Sequence, residues 1–392
     1  MEGYCFVQSS QFLCSRDHGA YCFWLPYSRG IIVSDGTRLV TDLDKIRSNA
    51  AKIVAKCRDK GIEVLGVTKG FSAMPEIVSA LLEGGIQGLA DSRMENIIDL
   101  RNQGFTESMT LLRIPQLSDV ENVVKYSDVS VNSEIAVIQA LAEAARSLHK
   151  VHKIILMVDV GDLREGIMSE NVMEMMRRIA GLEGIRFIGL GTNMGCFGGI
   201  LPSPENLGLL ARIAEVVEDR LDIPIEVLSG GGTSTQLLGE EDKIPRRINQ
   251  VRIGEGILLG TDTTNNRKIP WLDHDAFLLE AEVIEVKAKP SVPIGEIGRD
   301  AFGNTPQFID EGIRNRAILA LGKQDVVIEG IIPVDETISI LGASSDHLIV
   351  DITNSSRKIK VGDVVGFQVT YPGLLSASQS RYIKKIFKGR TL

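Results

Sequence analysis

The sequence predicts an α/β protein: a parallel (β/α)8 barrel followed by a mainly β C-terminal domain. Three observations carry that prediction. Eight short apolar runs recur between residues 62 and 253, with helical periodicity between most of them, which is the pattern of successive βα units. An open doubly wound sheet is the rival, but it usually has fewer strands. Past Trp271 helical stretches become rare and β-type runs follow one another. The first 37 residues share neither pattern. The 392-residue chain therefore divides into an atypical extension (1–37), a barrel (38–270) and a β domain (271–392).

The extension holds Cys5, Cys14 and Cys22 and seven aromatics, against 5% aromatic for the whole chain. It reads either as an appendage, through an upstream start codon, or as a packed extension over the core, and no chemistry is placed on it. From Leu39 the chain turns periodic. Thr41-Asp42-Leu43-Asp44 caps a helix whose apolar face runs Leu43, Ile46, Ala50, Ile53, Val54 and Cys57, and Gly61 ends it. Residues 62–68 read as a buried strand, and Pro75 opens the next helix. Further strands are expected at 88–91, 108–114, 128–132, 153–159, 185–192, 224–229 and 250–253. Helices at 134–149, 169–182 and 204–219 lie between them. In the second domain the expected strands are Ala276–Val286, Arg316–Leu321, Val326–Ile332, His347–Ile352 and Val364–Thr370.

Composition narrows the function classes. Forty-three basic against 51 acidic residues give a net charge of −8, with no basic patch, which disfavours nucleic acid as a partner. Mean hydropathy is +0.08 and no apolar run reaches membrane-spanning length, so no membrane association is expected. Five cysteines without a CxxC make neither a disulfide framework nor a zinc site. The reading is a cytoplasmic protein with no metal. The His149/His152 pair at a helix end reads as surface, and Met173, Met175 and Met176 as packing.

In such a barrel the chemistry sits at the C-terminal ends of the strands. Lys69 follows the first strand in Gly66-Val67-Thr68-Lys69-Gly70, which would place its amine in the mouth; the plain alternative is a solvent-reaching lysine. Asp159-Val160-Gly161-Asp162-Leu163-Arg164-Glu165 follows the fifth strand, and Thr192-Asn193-Met194-Gly195-Cys196 the sixth. Ser229-Gly230-Gly231-Gly232-Thr233-Ser234 follows the seventh, and the eighth ends Val251-Arg252-Ile253-Gly254. A Ser/Gly/Thr loop opening a short helix offers N–H groups and hydroxyls to a phosphate, unless it is only a flexible turn. A lysine facing a phosphate cradle points to pyridoxal phosphate (PLP).

The ordered series Val-Thr-Lys, Val-Asp-x-Gly-x-x-Arg, Ser-Gly-Gly-Gly-Thr and Val-Arg-x-Gly resembles the alanine-racemase-like, fold-type III PLP enzymes. Asp91-Ser92-Arg93-Met94-Glu95-Asn96, Gly298-Arg299-Asp300-Ala301-Phe302-Gly303-Asn304 and Ala343-Ser344-Ser345-Asp346-His347-Leu348 resemble the ornithine racemase branch. The resemblance implies that Lys69 carries PLP and is one base, and that Arg164 approaches the cofactor's phenolic oxygen. It implies a phosphate site at Ser229, Gly230, Gly231, Thr233 and the backbone near Gly254, with Tyr371 as a further phosphate contact. Arg252 would meet the pyridine nitrogen. Arginine keeps its proton near neutrality, so that nitrogen stays unprotonated and the ring becomes a weaker electron sink, which suits racemisation.

Three departures stand out. No tyrosine occupies the second-domain turn that presents the family's catalytic tyrosine; Arg299, Asp300 or Ala301 falls there. Asn193 stands where the family has histidine, and Met157 where many members have a supporting lysine. Asp300 and His347 are therefore the candidates for the replacement proton carrier or the substrate's ammonium partner, although each also reads as an ordinary turn or strand residue. Asp91 and Glu95 read as braces of Arg93 or of the barrel mouth rather than as chemical groups. The expected function is racemisation of free ornithine by two-base Cα proton transfer, in a homodimer with a shared site. The alternatives are a racemase for lysine or alanine, a non-catalytic PLP-homeostasis protein, or a fold-type III lyase. The β domain argues against the homeostasis reading, and the lack of a His/Cys ligand cluster against the lyase.

Overall fold

A computed structural model of the chain describes residues 36–389; all but the last two residues of the N-terminal extension lie outside the described residues. The barrel is built from β2 (Glu63–Val67), β3 (Gly88–Asp91), β4 (Ser108–Leu111), β5 (Val129–Asn132), β6 (His152–Asp159), β8 (Ile185–Thr192), β9 (Val227–Gly230) and β10 (Gln250–Ile253). All neighbours are parallel, and the β5–β6 pairing closes the ring. Strands covered on both faces bury nearly every side chain, which is why they read as continuous apolar runs rather than alternating ones.

Outside the ring lie α1 (Leu43–Arg58), α2 (Pro75–Glu83), α3 (Met94–Asn102), α4 (Val120–Tyr126), α5 (Ile135–Ser147), α6 (Val172–Ile179) and α7 (Pro204–Leu221). The short α8 (Gln236–Glu240) and α9 (Glu255–Leu259) follow the last two barrel strands, and β7 (Ile167–Met168) is a two-residue addition beside β6. Local chemistry sets the helix starts. The Asp42 carboxylate accepts from the N–H groups of Asp44 and Lys45, and α7 opens on a Ser203/Asn206 capping box with Pro204 in its first turn. Each fully buried Leu or Ile between helices and strands, such as Ile46, Ile53, Ile77 and Leu81, contributes roughly 1.5–3 kcal/mol. Inside the ring Val129, Val131, Ile155, Met157 and Ile188 form one apolar plug, and Leu65, Val67 and Ala90 a second. The β8–β9 crossing is so close that a Cβ on Gly189 would lie 1.8 Å from the Val227 carbonyl oxygen; only glycine fits.

A two-residue pair, β11 (Thr261–Asp262) with β12 (Arg267–Lys268), leads into the second sheet. Its strands are β13 (Phe277–Pro290), β14 (Ile313–Leu319), β15 (Ile331–Pro333), β16 (Ser339–Ala343), β17 (Leu348–Asp351) and β18 (Val364–Val369), ordered β15-β18-β13-β14-β17-β16. The sequence does not predict β16, nor two further strands that complete the sheet. β1 (Arg38–Asp42) pairs antiparallel with β13 and parallel with β19 (Lys384–Lys388), so the described chain begins in the second domain's sheet before entering the barrel.

Three expectations need correction. The strand expected at Val326–Ile332 forms only at its end: a 3₁₀ turn (Ile328–Gly330), whose Gly330 backbone lies close against that of Gly373, precedes β15, which begins at Ile331. The region after Val369 contains a helix, α10 (Tyr371–Gln379), with Pro372 in its first turn. His152 is not a surface residue: it opens β6 at 2% exposure, its Nε2 lies 2.9 Å from Ser130 Oγ, and burial pushes its pKa down to about 4. Among the described residues no helix is long and apolar enough to cross a membrane.

Candidate active site

A cavity of about 400 Å³ opens at the C-terminal ends of the barrel strands. Four residues chosen from the sequence line it: Lys69, Arg164, Asn193 and Arg252. Ser92, Arg113, Glu165 and Cys196 join them, with an apolar wall of Leu112, Ile114, Val131 and Met157.

Lys69 begins a 3₁₀ turn (Lys69–Phe71) just past β2 and is half-buried. Arg252 stands on the adjacent strand, in register with Leu65 of β2. It is buried; its Nη1 donates to the Ser229 hydroxyl, and its Nη2 donates to the Thr192 carbonyl at 2.6 Å. Burial lowers its pKa to about 10 against the opposing pull of Glu165 and Cys196, so the guanidinium stays charged at neutral pH. Across the mouth, both oxygens of Glu165 accept from the Arg164 guanidinium. With its carboxamide flipped so that the oxygen faces the donors around it, Asn193 accepts from Arg164 Nη2 at 2.9 Å and from the Met194 N–H at 3.2 Å. Burial works against the Arg164 charge, but the Glu165 hydrogen bonds and charge outweigh it and raise its pKa. Asp162 ties the two loops together by accepting from the N–H groups of Gly195 and Ile200 at 3.0 and 3.3 Å.

The glycine loop packs beside Arg252. The Arg252 N–H donates to the Gly231 carbonyl at 2.9 Å, and Gly231 sits at φ +103°, a conformation that favours glycine. A Cβ on Gly230 would lie 2.6 Å from Ile248, and one on Gly254 3.2 Å from Val67 Cβ. The Gly256 N–H donates to Thr233 Oγ1 at 3.1 Å, which joins the loop to the start of α9. The Tyr371 ring lies 3.4 Å from where a Cβ on Gly70 would sit. Burial first, then nearby acidic groups, push the Tyr371 hydroxyl up to about 12, so it is a neutral donor.

Asp300 and His347 are not brought to this cavity by their own chain. Asp300 caps its own turn, accepting from the N–H groups of Phe302 and Asn304 at 2.9 and 2.8 Å, and those contacts hold its carboxyl below the usual range. His347 is exposed just before β17. Sequence reasoning missed Arg113, Glu165 and Cys196 as cavity residues, though Arg113 stands just past β4 and the strand-end rule applied there would have found it.

The donor set fits PLP: the lining sets Lys69, Arg113, Arg164 and Arg252 against one carboxylate, Glu165, and the glycine loop and Thr233 hydroxyl lie beside Arg252. The alanine racemase N-terminal domain model matches residues 41–262. The chain belongs to the alanine racemase family. Among its relatives, the lysine racemase of Thermotoga maritima is 44% identical, over 90% of this chain and 98% of that one. The ornithine racemase of Acetoanaerobium sticklandii is 43% identical over 89% and 98%. The alanine racemase structure from Clostridium difficile 630 superposes with a TM-score of 0.71 at 21% identity, covering 91% of this chain and 96% of that one. The Streptomyces lavendulae alanine racemase gives 0.73 at 16%, covering 91% and 98%. These two establish the shared barrel and β domain. As a member of the alanine racemase family, the chain uses PLP as its cofactor.

Proposed function

We propose that the chain is a PLP-dependent amino-acid racemase that interconverts L- and D-ornithine. The observation that carries this is one cavity lined by Lys69, by Arg252, which Ser229 and Thr192 hold from behind, and by Arg164, Glu165 and Asn193, in a chain 43% identical to an ornithine racemase. PLP, when bound, supplies the electron sink that makes the substrate's Cα–H acidic. Lys69 Nζ holds the cofactor and moves the Cα proton on one face. Arg252, kept charged and pinned by Ser229 and Thr192, would meet the pyridine nitrogen without giving it a proton. Arg164, held by Glu165 and Asn193, would meet the phenolic oxygen. The backbone of Gly230, Gly231 and Gly254, with Ser229, Thr233 and Tyr371, binds the phosphate. Leu112, Ile114, Val131 and Met157 accommodate the substrate's methylenes and exclude water.

The second proton carrier comes from the β domain of a partner copy, and Asp300 and His347 are its candidates. Support comes from exposed apolar side chains around the Asp300 turn, Ile294 at 93% and Ile309 at 82%, which a homodimer would cover. The setting we assign, from the cysteine pattern, is the cytoplasm.

Chirality-resolved product analysis with L-ornithine, L-lysine and L-alanine, in added PLP, tests the reading. The highest kcat/KM is expected for ornithine. Lysine, one methylene longer, is the second reading, favoured by the Thermotoga relative. A preference for alanine, or no D-product from PLP-loaded protein, contradicts the proposal.

A further inference from the structure

Asp91 ends β3 at 1% exposure, and its carboxylate is met by three hydrogen-bond donors rather than by a cation. Thr68 Oγ1 donates to it at 2.5 Å, Asn96 Nδ2 at 3.0 Å and the Arg93 N–H at 2.8 Å. Burial pulls its pKa up, and the Thr68 and Asn96 hydrogen bonds pull the other way. A buried acid with this donor set is a built feature, because an unsatisfied one is expensive.

Its most consequential partner is Thr68, the residue before Lys69. Thr68 is fully buried, and its N–H donates to the Ala90 carbonyl at 2.9 Å. Its own carbonyl accepts from the N–H groups of Phe71 at 3.3 Å and Ala73 at 3.1 Å. The turn so formed is strained: Ser72 (φ +53°) and Ala73 (φ +50°) are consecutive non-glycine residues in the left-handed region. Such backbone persists only when its surroundings over-determine it. Here Thr68 is the post from which the turn hangs. Asp91 fixes that post from one side, and the Tyr371 ring packs on Gly70 from another.

We propose that Asp91 is a positioning residue: through the Thr68 hydroxyl it locks the strained turn that presents Lys69 to the cavity. The proposal rests on the reading of Lys69 as the PLP-bearing lysine. It predicts that the hydroxyl at position 68 matters more than the shape of the side chain. It also predicts that the polarity of the 91/96 pair matters more than which partner carries the charge.

The test uses Thr68→Ser, Thr68→Val, Asp91→Asn and the double variant Asp91→Asn/Asn96→Asp. Each is pulsed with PLP and borohydride, and the label on the Lys69 peptide is quantified by mass; kcat, KM and Tm are measured in parallel. Thr68→Ser should match wild type. Thr68→Val and Asp91→Asn should label Lys69 and turn over roughly 10- to 100-fold more slowly, with KM little changed, as expected for a misplaced reacting group. The double variant, which restores a complementary donor and acceptor, should recover most of the loss. Thr68→Val that labels and turns over like wild type overturns the proposal, as do losses that vanish when variants are compared at equal distance below their Tm. If Asp91→Asn does not fold, the Thr68 pair still decides. Wild-type label on another lysine refutes the reading of Lys69 instead, so the two failures are distinguishable.

Discussion

The turn Lys69–Phe71 and the Asp300 turn both carry residues chosen for chemistry, yet they are held in opposite ways. The first is held by groups of three elements: Asp91 of β3, through Thr68, and Tyr371 of α10 and Leu258 of α9, whose Cδ1 would lie 3.2 Å from a Cβ on Gly70. The second is held by itself. The hydrogen bonds of Asp300 go to Phe302 and Asn304, four residues away at most, and Ile294 and Ile309 near it face outward. On the proposed two-base reading, the half that carries Lys69 is braced by its own chain, and the half that carries Asp300 is left for a partner copy to cover. Precise chemistry belongs on rigid elements supported by their neighbours, and the barrel half meets that condition alone.

The largest effect expected is at the half that carries Lys69. Lys69→Ala should lower kcat by at least about 10³-fold, the scale on which loss of a covalent and proton-transferring group falls, with little change in Tm. Residual turnover near wild type would place the base elsewhere. The comparison sharpens with mixed subunits. Asp300→Asn or His347→Gln, whichever removes the second carrier, should lose roughly 10²-fold in kcat. Mixing that variant with Lys69→Ala chains should restore measurable turnover through heterodimers. No recovery despite demonstrated exchange would put both carriers on one chain, and wild-type kinetics for both variants would reduce Asp300 to a turn residue and His347 to a surface one.

Arg252 provides a subtler break. Arg252→Glu should cost about 10²-fold in racemisation while raising the share of turnovers that end in transamination, because a carboxylate favours protonation of the pyridine nitrogen. An unchanged ratio with PLP still bound would give that nitrogen another partner.

The last effect lies at the opposite end of the barrel and acts on stability rather than turnover. His152 is held neutral, with its pKa lowered from 6.5 to about 4 by burial. Between those values the unfolded chain binds the proton and the native one does not, so stability falls as pH drops from about 6.5 toward 4, by up to about 3 kcal/mol, and levels off below. Tm measured over that window should show the slope, and His152→Gln should flatten it. A slope unchanged in the variant would assign it to other groups.

The barrel was legible in the sequence because parallel strands buried on both faces leave uninterrupted apolar runs, and because Lys69, Arg164, Asn193 and Arg252 follow or end such runs. β1, β16, β19 and α10 were not. β1 is a five-residue strand running straight into a helix cap, and its partners lie some 240 residues away, at Phe277–Glu280. His152 was hidden by polar neighbours, since nothing in His149-Lys150-Val151 signals that the chain has turned inward. Asp91 was readable as a brace, but Thr68 as the residue it braces depends on the β2–β3 pairing, which places Val67 beside Ala90. Glu165 and Arg113 needed the cavity itself, because an ion-paired glutamate and a strand-end arginine look in sequence like ordinary surface charges.

In the proposed function the turn after β2 carries the cofactor, on Lys69. Borohydride reduction of the PLP-loaded wild-type protein, followed by proteolysis and peptide mass analysis, tests it most directly. A single reduced pyridoxyl label is expected on the peptide containing Lys69, absent from Lys69→Ala. A label on any other lysine, or the same labelling in Lys69→Ala, would contradict it.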